Sequence, residues 1–492
     1  MLAKNFASRP AAHALAAAAL VLAGCTSLAP PYAAPVLPVA PRYALDAAAT
    51  NTSDASASER PAWRSYFADP QLQTLLAQAL EYNRDLHITA LRVAEARAAY
   101  GIQRADLLPN LNGQMGASRS RTPDDLNLTR QPLFSSQYQV GLGLASWEID
   151  FWGRVRSLRD AALENYLATE AAQHAVTVSL IAQVANSYLT LCELDERLAL
   201  AQQSSASRQE SLRIFTRRVE VGSASRLNLM QIQTLLNQAQ SLVAQLELAR
   251  AQQAHALTLL VGAPVALTSS PTRLAALQMA PLPAGLPSDL LTQRPDIVAA
   301  EHQLRAAHAQ IGAARAAFFP RIALTSSLGT ASAELGGLFD SGSSIWSFAP
   351  SISLPIFTGG RLRNNLNLTE VRRDLAVANY EKTVQAAFRD VSDALAARQG
   401  LARQLAIAQD AQAAQTERAR LSQLRYDNGS ASFLEVLDAQ RDLLVAEQQS
   451  VQLRRALLSS QVSLYAALGG GTPAPTASAN AAPRTPCPPC AP

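Results

Sequence analysis

The sequence predicts an α+β chain built twice over, in which four amphipathic strands wall part of a β-barrel and very long helices continue it as a tube. Three observations carry this expectation. The tetrad Gly222-Ser223-Ala224-Ser225 returns unchanged as Gly429-Ser430-Ala431-Ser432, 207 residues on, and Gly153-Arg154-Val155-Arg156 returns as Gly360-Arg361-Leu362-Arg363 at the same offset. Residues 110–148 and 320–355 switch from helical periodicity to strict alternation, the pattern of a strand with one apolar face. Arg154 to Val221 is a run of 68 residues without proline or glycine. As one helix that run extends roughly 100 Å at about 1.5 Å per residue. Solenoid repeats have periods of about 20 to 50 residues, so the 207-residue echo marks a duplicated module rather than a repeat array.

Taken in order, the chain opens with a secretory signal over residues 1–24: Lys4 and Arg9, an apolar stretch from Ala11 to Leu22, then Leu22-Ala23-Gly24-Cys25. The apolar run is shorter than the about 20 residues a spanning helix needs. The segment resembles the bacterial lipoprotein signal, in which the cysteine becomes the acylated first residue. Thr26 stands where many Gram-negative lipoproteins retained at the inner membrane carry aspartate, so an outer-membrane address is expected. The Pro/Ala/Ser-rich residues 25–60 read as an extended tether.

The first repeat is assigned to 61–261, a proline-rich linker to 262–290, the second repeat to 291–469, and a disordered Pro/Ala-rich tail to 470–492. In each repeat one hairpin of strands about 9 to 11 residues long precedes one helical hairpin. Tyr138, Val140, Leu142 and Leu144 alternate with Gln139, Gly141, Gly143 and Ala145, and Ile322, Leu324, Ser326 and Leu328 with Arg321, Ala323, Thr325 and Ser327. The apolar sets are assigned to lipid, and Trp346 and Phe348 to an aromatic girdle. Beyond residue 25 no stretch is expected to cross a membrane as a helix, which leaves the strands to do so.

The helical segments carry a heptad seam, Val184, Ser187, Leu191, Leu194, Leu198, Ala201, Ser205, Arg208, Leu212, Phe215 and Val219, with a return arm from Leu229 to Leu260. Polar seam residues such as Arg208 and Arg250 disfavour a simple two-stranded rod and suit a tube in which each helix touches two neighbours. Pro295-Asp296 supplies a helix start. Four strands cannot close a barrel; two chains would give eight, filled by side chains, and three would give twelve with an open lumen. A homotrimer is the expectation.

Composition excludes other classes. A net charge of +4 over 492 residues offers no basic stripe for nucleic acid. There is no Gly-x-Ser-x-Gly, phosphate loop or His-Glu-x-x-His, and His302 and His308 fall on different helix faces, so no enzyme, metal site or catalytic residue is expected. Cys192 reads as a small core residue, and Cys487-Pro-Pro-Cys490 as part of the tail.

Several motifs together resemble one family: Gln293-Arg294-Pro295-Asp296-Ile297, Phe319-Pro320, Leu354-Pro355-Ile356-Phe357-Thr358-Gly359-Gly360-Arg361, and Asn428-Gly429 through Leu437-Asp438-Ala439-Gln440. Over about residues 60 to 470 the chain resembles the TolC/OprM-type outer-membrane efflux channels, in the NodT-like lipoprotein branch. The resemblance implies a trimer with a twelve-stranded barrel and a long periplasmic α-helical barrel, working with a periplasmic adaptor and an inner-membrane RND-type pump. It implies no cofactor beyond covalent lipid, a diacylglycerol and an N-acyl chain on Cys25. It also places the turns at Gly222 and Gly429 at the periplasmic tip, Leu434 and Asp438 in constricting rings, Glu435 in a second acidic ring and Tyr426 at a gating position. Asn228 and Ala431 depart from the pattern, standing where relatives carry aspartate and arginine. A type I secretion outlet and a non-channel periplasmic coiled-coil lipoprotein scaffold are the alternatives; the scaffold leaves the alternating hairpins unused.

Overall fold

The computed structural model describes residues 28–33, 35, 61–126, 133–266, 274–282 and 294–471. The lipobox with Cys25, and the tail with Cys487 and Cys490, lie outside these residues. The chain divides into two compact units, one of residues 1–37, 91–171 and 298–383 and one of 38–90, 172–297 and 384–492.

The first unit holds a four-stranded antiparallel sheet, β1 (Leu111–Thr122), β2 (Leu133–Glu148), β3 (Arg321–Ser332) and β4 (Ser344–Ser353), in the order β1-β2-β3-β4. The two expected hairpins are thus joined by a β2–β3 ladder, while β1 and β4 remain as edges. Leu142 sits opposite Leu328, which sits opposite Trp346. These three side chains are 60%, 66% and 74% exposed, so one sheet face is apolar and uncovered. On the other face Gly143 opposes Ser327, and Ser327 opposes Ser347 with 2.7 Å between their hydroxyl oxygens. Register puts Leu324 on the Leu142 face and Gln139 and Thr325 on the opposite one, as alternation predicts.

Strand lengths differ from expectation: β2 has 16 residues, and β1 and β3 have 12 each. The ladders continue where the side chains turn polar, as at Arg121, whose guanidinium lies 5.9 Å from the centre of the Phe134 ring. A bulge between Leu144 and Trp147, with Ser146 at φ 45°, adds one residue to β2 and keeps Trp147 opposite Leu324. The lengthened strand ends at Glu148, whose carboxylate receives Arg154 and Arg321, both at 2.7 Å. This ties β2, β3 and the following helix at one point.

The helices repeat as the sequence does. Helices α1 (Pro70–Tyr82) and α2 (Arg84–Ala105) precede the sheet, and α5 (Pro295–Ala316) precedes β3. The long arms are α3 (Arg154–Glu220, 67 residues) and α6 (Arg361–Asp427, 67 residues); their return arms are α4 (Arg226–Val261, 36 residues) and α7 (Phe433–Ala467, 35 residues). The seam is the core: Val184, Leu191, Leu194, Ala201 and Phe215 of α3 and Ile232, Leu236, Ala239 and Leu246 of α4 are buried. Arg208, only 4% exposed, donates to the Leu235 carbonyl at 2.8 Å, and Arg250 pairs with Asp195. Both seam arginines are therefore satisfied by a neighbouring helix, as buried polar groups must be. Cys192 is buried and its thiol is pushed up to about 12 by desolvation, in keeping with a core role.

One expectation needs correction. A window in α3 reaches the apolarity of a membrane span, but 56% of it is buried inside the protein, where it supplies core. Parts of the assigned linker and tether are also built into the fold. Residues 274–276 form a 3-10 turn with Leu274 buried, Met279 bridges to Phe67, and residues 29–32 lie against α5.

Candidate functional site

The site begins with two turns. Gly222 at φ 75° and Gly429 at φ 71° reverse the long arms in a left-handed conformation that a side chain would strain. Behind each, the backbone closes in the same way: the N–H of Ser223 donates to the Arg218 carbonyl at 2.8 Å and that of Ser430 to the Arg425 carbonyl at 2.9 Å. These are the long-range bonds of a Schellman ending.

The two hairpins meet at their tips. Phe215, Ile232 and Leu437 form a buried cluster, flanked by Leu212, Leu229, Leu235 and Phe433. The Phe215 and Phe433 rings lie 4.6 Å apart, and Tyr426 lies 5.0 Å from Phe433. Arg218 donates to the Tyr426 hydroxyl, and its guanidinium stands 5.2 Å from the Phe215 ring centre. Tyr426 is thus a junction between the hairpins.

Leu434, Asp438, Arg441 and Val445 follow one another by steps of four, three and four, forming a single stripe of α7. Leu434 is 44% exposed and Val445 60%. Asp438 pairs with Arg441 of its own helix at 3.2 Å; Arg441 also meets Asp442 at 3.1 Å, and Asp442 receives Arg418 of α6 at 2.8 Å. Glu435 does not lie on this stripe. It pairs with Arg425 at 2.6 Å, inside the second hairpin. Of the residues singled out by sequence, then, Leu434 and Asp438 share a face, while Glu435 and Tyr426 serve different polar links.

Two residues that sequence reading missed complete the site. Arg218 supplies the link to Tyr426, and Phe433 the ring it rests on. The signal was the difference between the halves, since Phe433 stands where the first module has Arg226. Elsewhere in the same unit, the Arg-Pro-Asp motif has a structural task. Arg294 reaches Asp296 at 2.9 Å, Asp390 at 2.9 Å and the carbonyls of Ala387 and Ala467 at 3.3 and 3.1 Å. One guanidinium thereby clamps the start of α5 to α6 and α7.

Comparison with known proteins agrees with the duplicated fold. The family described as outer membrane efflux protein matches residues 75–263 and again 286–470. The starts lie 211 apart and the ends 207 apart, the two offsets of the internal echo. The chain is 46% identical over 459 residues to the solvent efflux pump outer membrane protein SrpC of Pseudomonas putida, covering 92% of this chain and 97% of that one. It is 44% identical over 457 residues to the outer membrane protein OprJ of Pseudomonas aeruginosa, covering 92% and 94%. Among solved structures, the open state of the Neisseria gonorrhoeae MtrE outer membrane channel superposes with a TM-score of 0.82 at 39% identity, covering 91% of this chain and 98% of that one. With both repeats matched and the whole fold reproduced, the chain belongs to the outer membrane efflux protein family.

Proposed function

We propose that three copies of this chain close into a passive conduit, with a twelve-stranded barrel in the outer membrane and a helical tube in the periplasm, that exports small molecules delivered by an inner-membrane RND-type pump through a periplasmic adaptor. The observation that carries the assembly is the set of surfaces one chain leaves open. Edges β1 and β4 lack partners within the sheet, and the sheet's apolar face is bare. In α6, Leu368, Val371 and Leu375, spaced as one helical stripe, are likewise exposed. Of their three first-module counterparts, Ala161 and Ala168 are buried and Glu164 is half-buried. An open edge and an uncovered apolar stripe on one subunit are complementary needs of a ring of copies.

Cargo choice is assigned to the pump. Relatives 43–46% identical to this chain bear names that range over solvents, toluene and antibiotics, which supports an outlet that does not discriminate. At the periplasmic end, Leu434 and Asp438 form the constricting rings, and the Arg218–Tyr426 link holds the hairpins together. Covalent lipid on Cys25 anchors each copy. Native mass spectrometry in detergent should show three copies, each heavier by the lipid. A stable monomeric pore would overturn the assembly. Arginine at Leu142 or Leu324 should cost about 2–4 kcal/mol of insertion at mid-membrane depth, while arginine at Gln139 or Thr325 is tolerated.

A further inference from the structure

We propose that the outer end of β1 is a seat for a phosphate of lipid A, the phosphorylated glucosamine head of outer-leaflet lipopolysaccharide; this rests on the sheet spanning the outer membrane with the helices on the periplasmic side. Residues directly opposite each other on paired strands share one face of a sheet. Arg119 lies opposite Ser136 and Arg121 opposite Phe134, in the same register that sets Gly113 opposite Leu142 and Met115 opposite Val140. Leu142 and Met115 are 60% and 85% exposed. Both arginines are therefore on the apolar face assigned to lipid. Helices α2, α3, α5 and α6 all join the sheet at its other end, beside Leu111, Glu148, Arg321 and Ser353, so the end that bears the arginines points away from the periplasm.

Height along the strands fixes what they meet. Phe134 lies thirteen positions before Trp147 on β2, and the bulge takes up one of them. Twelve steps of about 3.3 Å, tilted about 40°, rise about 30 Å. The apolar band of such a barrel is about 25 Å tall. With Trp147 at its inner edge, Arg121 stands just beyond its outer edge, where the headgroup phosphates of the outer leaflet lie; phospholipid phosphates of the inner leaflet lie at the opposite end. Among the described residues neither Arg119 nor Arg121 forms an ion pair, although Asp124 and Asp125 follow in the same hairpin. Arg321, at the periplasmic end and on the other face, is by contrast held by Glu148 at 2.7 Å. The Arg121 guanidinium rests 5.9 Å from the Phe134 ring centre, which holds it along the outer surface. Two guanidiniums on alternate residues of one strand, about 7 Å apart at the backbone, can converge on the oxygens of one phosphate, the planar forked recognition for which arginine is suited. No lysine or arginine lies between Arg321 and Arg361, so the second hairpin has no such pair and each copy offers one seat.

The test uses the full-length assembly in nanodiscs, with bisphosphorylated lipid A as the probe. Native mass spectrometry should find up to three bound per trimer. Arg119→Gln combined with Arg121→Gln should weaken that binding at least about tenfold and leave the binding of phosphatidylglycerol unchanged; the corresponding double lysine variant, which keeps both charges, should lose less. Phe134→Leu, which keeps both arginines and removes the ring, should weaken binding about twofold to threefold. On the unaltered protein, lipid A stripped of its phosphates should bind as weakly as the phosphorylated probe binds the glutamine variant. Equal binding of the probe by parent and glutamine variant, or equal binding by the parent of lipid A with and without phosphates, overturns the seat. So does a glutamine variant that separates into single copies, which would assign the arginines to the seam between β1 and the next copy. A parent that forms no trimer overturns the assembly and the seat with it, whereas an intact trimer indifferent to both arginines overturns the seat alone.

Discussion

At the tip of the first hairpin, Ser225 caps α4 by accepting from the Asn228 N–H at 3.2 Å; at the tip of the second, Ser432 makes no such side-chain cap. The difference follows through the polar links. Arg218 and Arg425 are counterparts, one per module. Arg425 finds Glu435 within its own hairpin, but the position matching Glu435 is Asn228, so Arg218 turns outward to Tyr426. Tyr426 in turn matches Val219, Phe433 matches Arg226, and Phe215 matches Ser422. The Arg218–Tyr426 and Phe215–Phe433 contacts between the tips therefore each use a residue whose counterpart cannot make them. Duplication supplied two equal turns, and substitution at a few positions made them complementary.

The largest effect should separate Phe215 from Ser422. Both are buried, but only Phe215 fills the space between the hairpins. Phe215→Ala should cost about 3 kcal/mol, the low end of the range for buried phenylalanine, because Leu212 and Phe433 can partly collapse onto the gap. Ser422→Ala should cost under about 1 kcal/mol. Hydrogen exchange of the tip residues measures both, and equal losses would end the claim that the halves have diverged in role.

Next in size is the Arg218 link. Tyr426→Phe removes only the hydroxyl, so it should weaken the hairpin contact by about 1 kcal/mol. That is roughly a fivefold rise in the population with separated tips. Asn228→Glu sharpens the comparison further: it gives Arg218 an acid in its own hairpin, as Arg425 has. Without touching Tyr426 it should reproduce the Tyr426→Phe phenotype, read as higher conductance in planar bilayers and greater vancomycin sensitivity of the host. If Asn228→Glu tightens the closed state instead, Arg218 is not shared between competing partners.

How much of this the chain disclosed by itself differs by element. The turns between the arms were legible because glycine stands at each, although Gly400 lies inside α6 without ending it. Strand ends were not, since a ladder needs backbone groups and continues under Arg119 and Arg121, whose polarity reads as loop. The bulge at Ser146 left no mark among small residues. In the site, the turn glycines were plain, whereas the partner of Tyr426 lies 208 residues away with no local pattern to point at it. Gly312 was a signal passed over. A glycine inside a helical run, where alanine is favoured, marks a close approach, and the Ser157 hydroxyl and Ala29 are what approach.

A smaller effect concerns selectivity. The stripe Leu434, Asp438, Arg441, Val445 has the first-module counterpart Leu227, Gln231, Thr234, Gln238, which bears no charge. In a threefold assembly the Asp438 carboxylates attract cations, and the Arg441 pair offsets part of that field. Asp438→Asn should lower cation preference and block by multivalent cations by a factor of a few, Arg441→Ala should raise both, and Gln231→Ala should leave both unchanged. Leu434→Ala should raise conductance. An equal response at Gln231 would mean that both hairpins line the aperture alike.

The smallest effect is a pH dependence that the second tip should show more strongly than the first. Asp442 is held below its ordinary value of 3.8, chiefly by the Arg418 hydrogen bond and then by that of Arg441. A carboxylate with a depressed pKa adds stability that is complete above its ordinary value and is lost as pH falls through the lower folded value. The Arg418–Asp442–Arg441 relay should therefore hold from pH 7 to 5 and give way only below about 4. Solvent exposure keeps the loss small. The first tip has Ser211, Thr234 and Leu235 at the matching positions, none of them a carboxylate. Hydrogen exchange at the two tips between pH 6 and 3, corrected for intrinsic rates, should show α7 loosening before α4. Asp442→Asn should produce the acid behaviour at neutral pH and abolish the difference between the tips on acidification. If α4 loosens first, the acid-sensitive contact lies elsewhere, and the relay contributes nothing to holding the second hairpin.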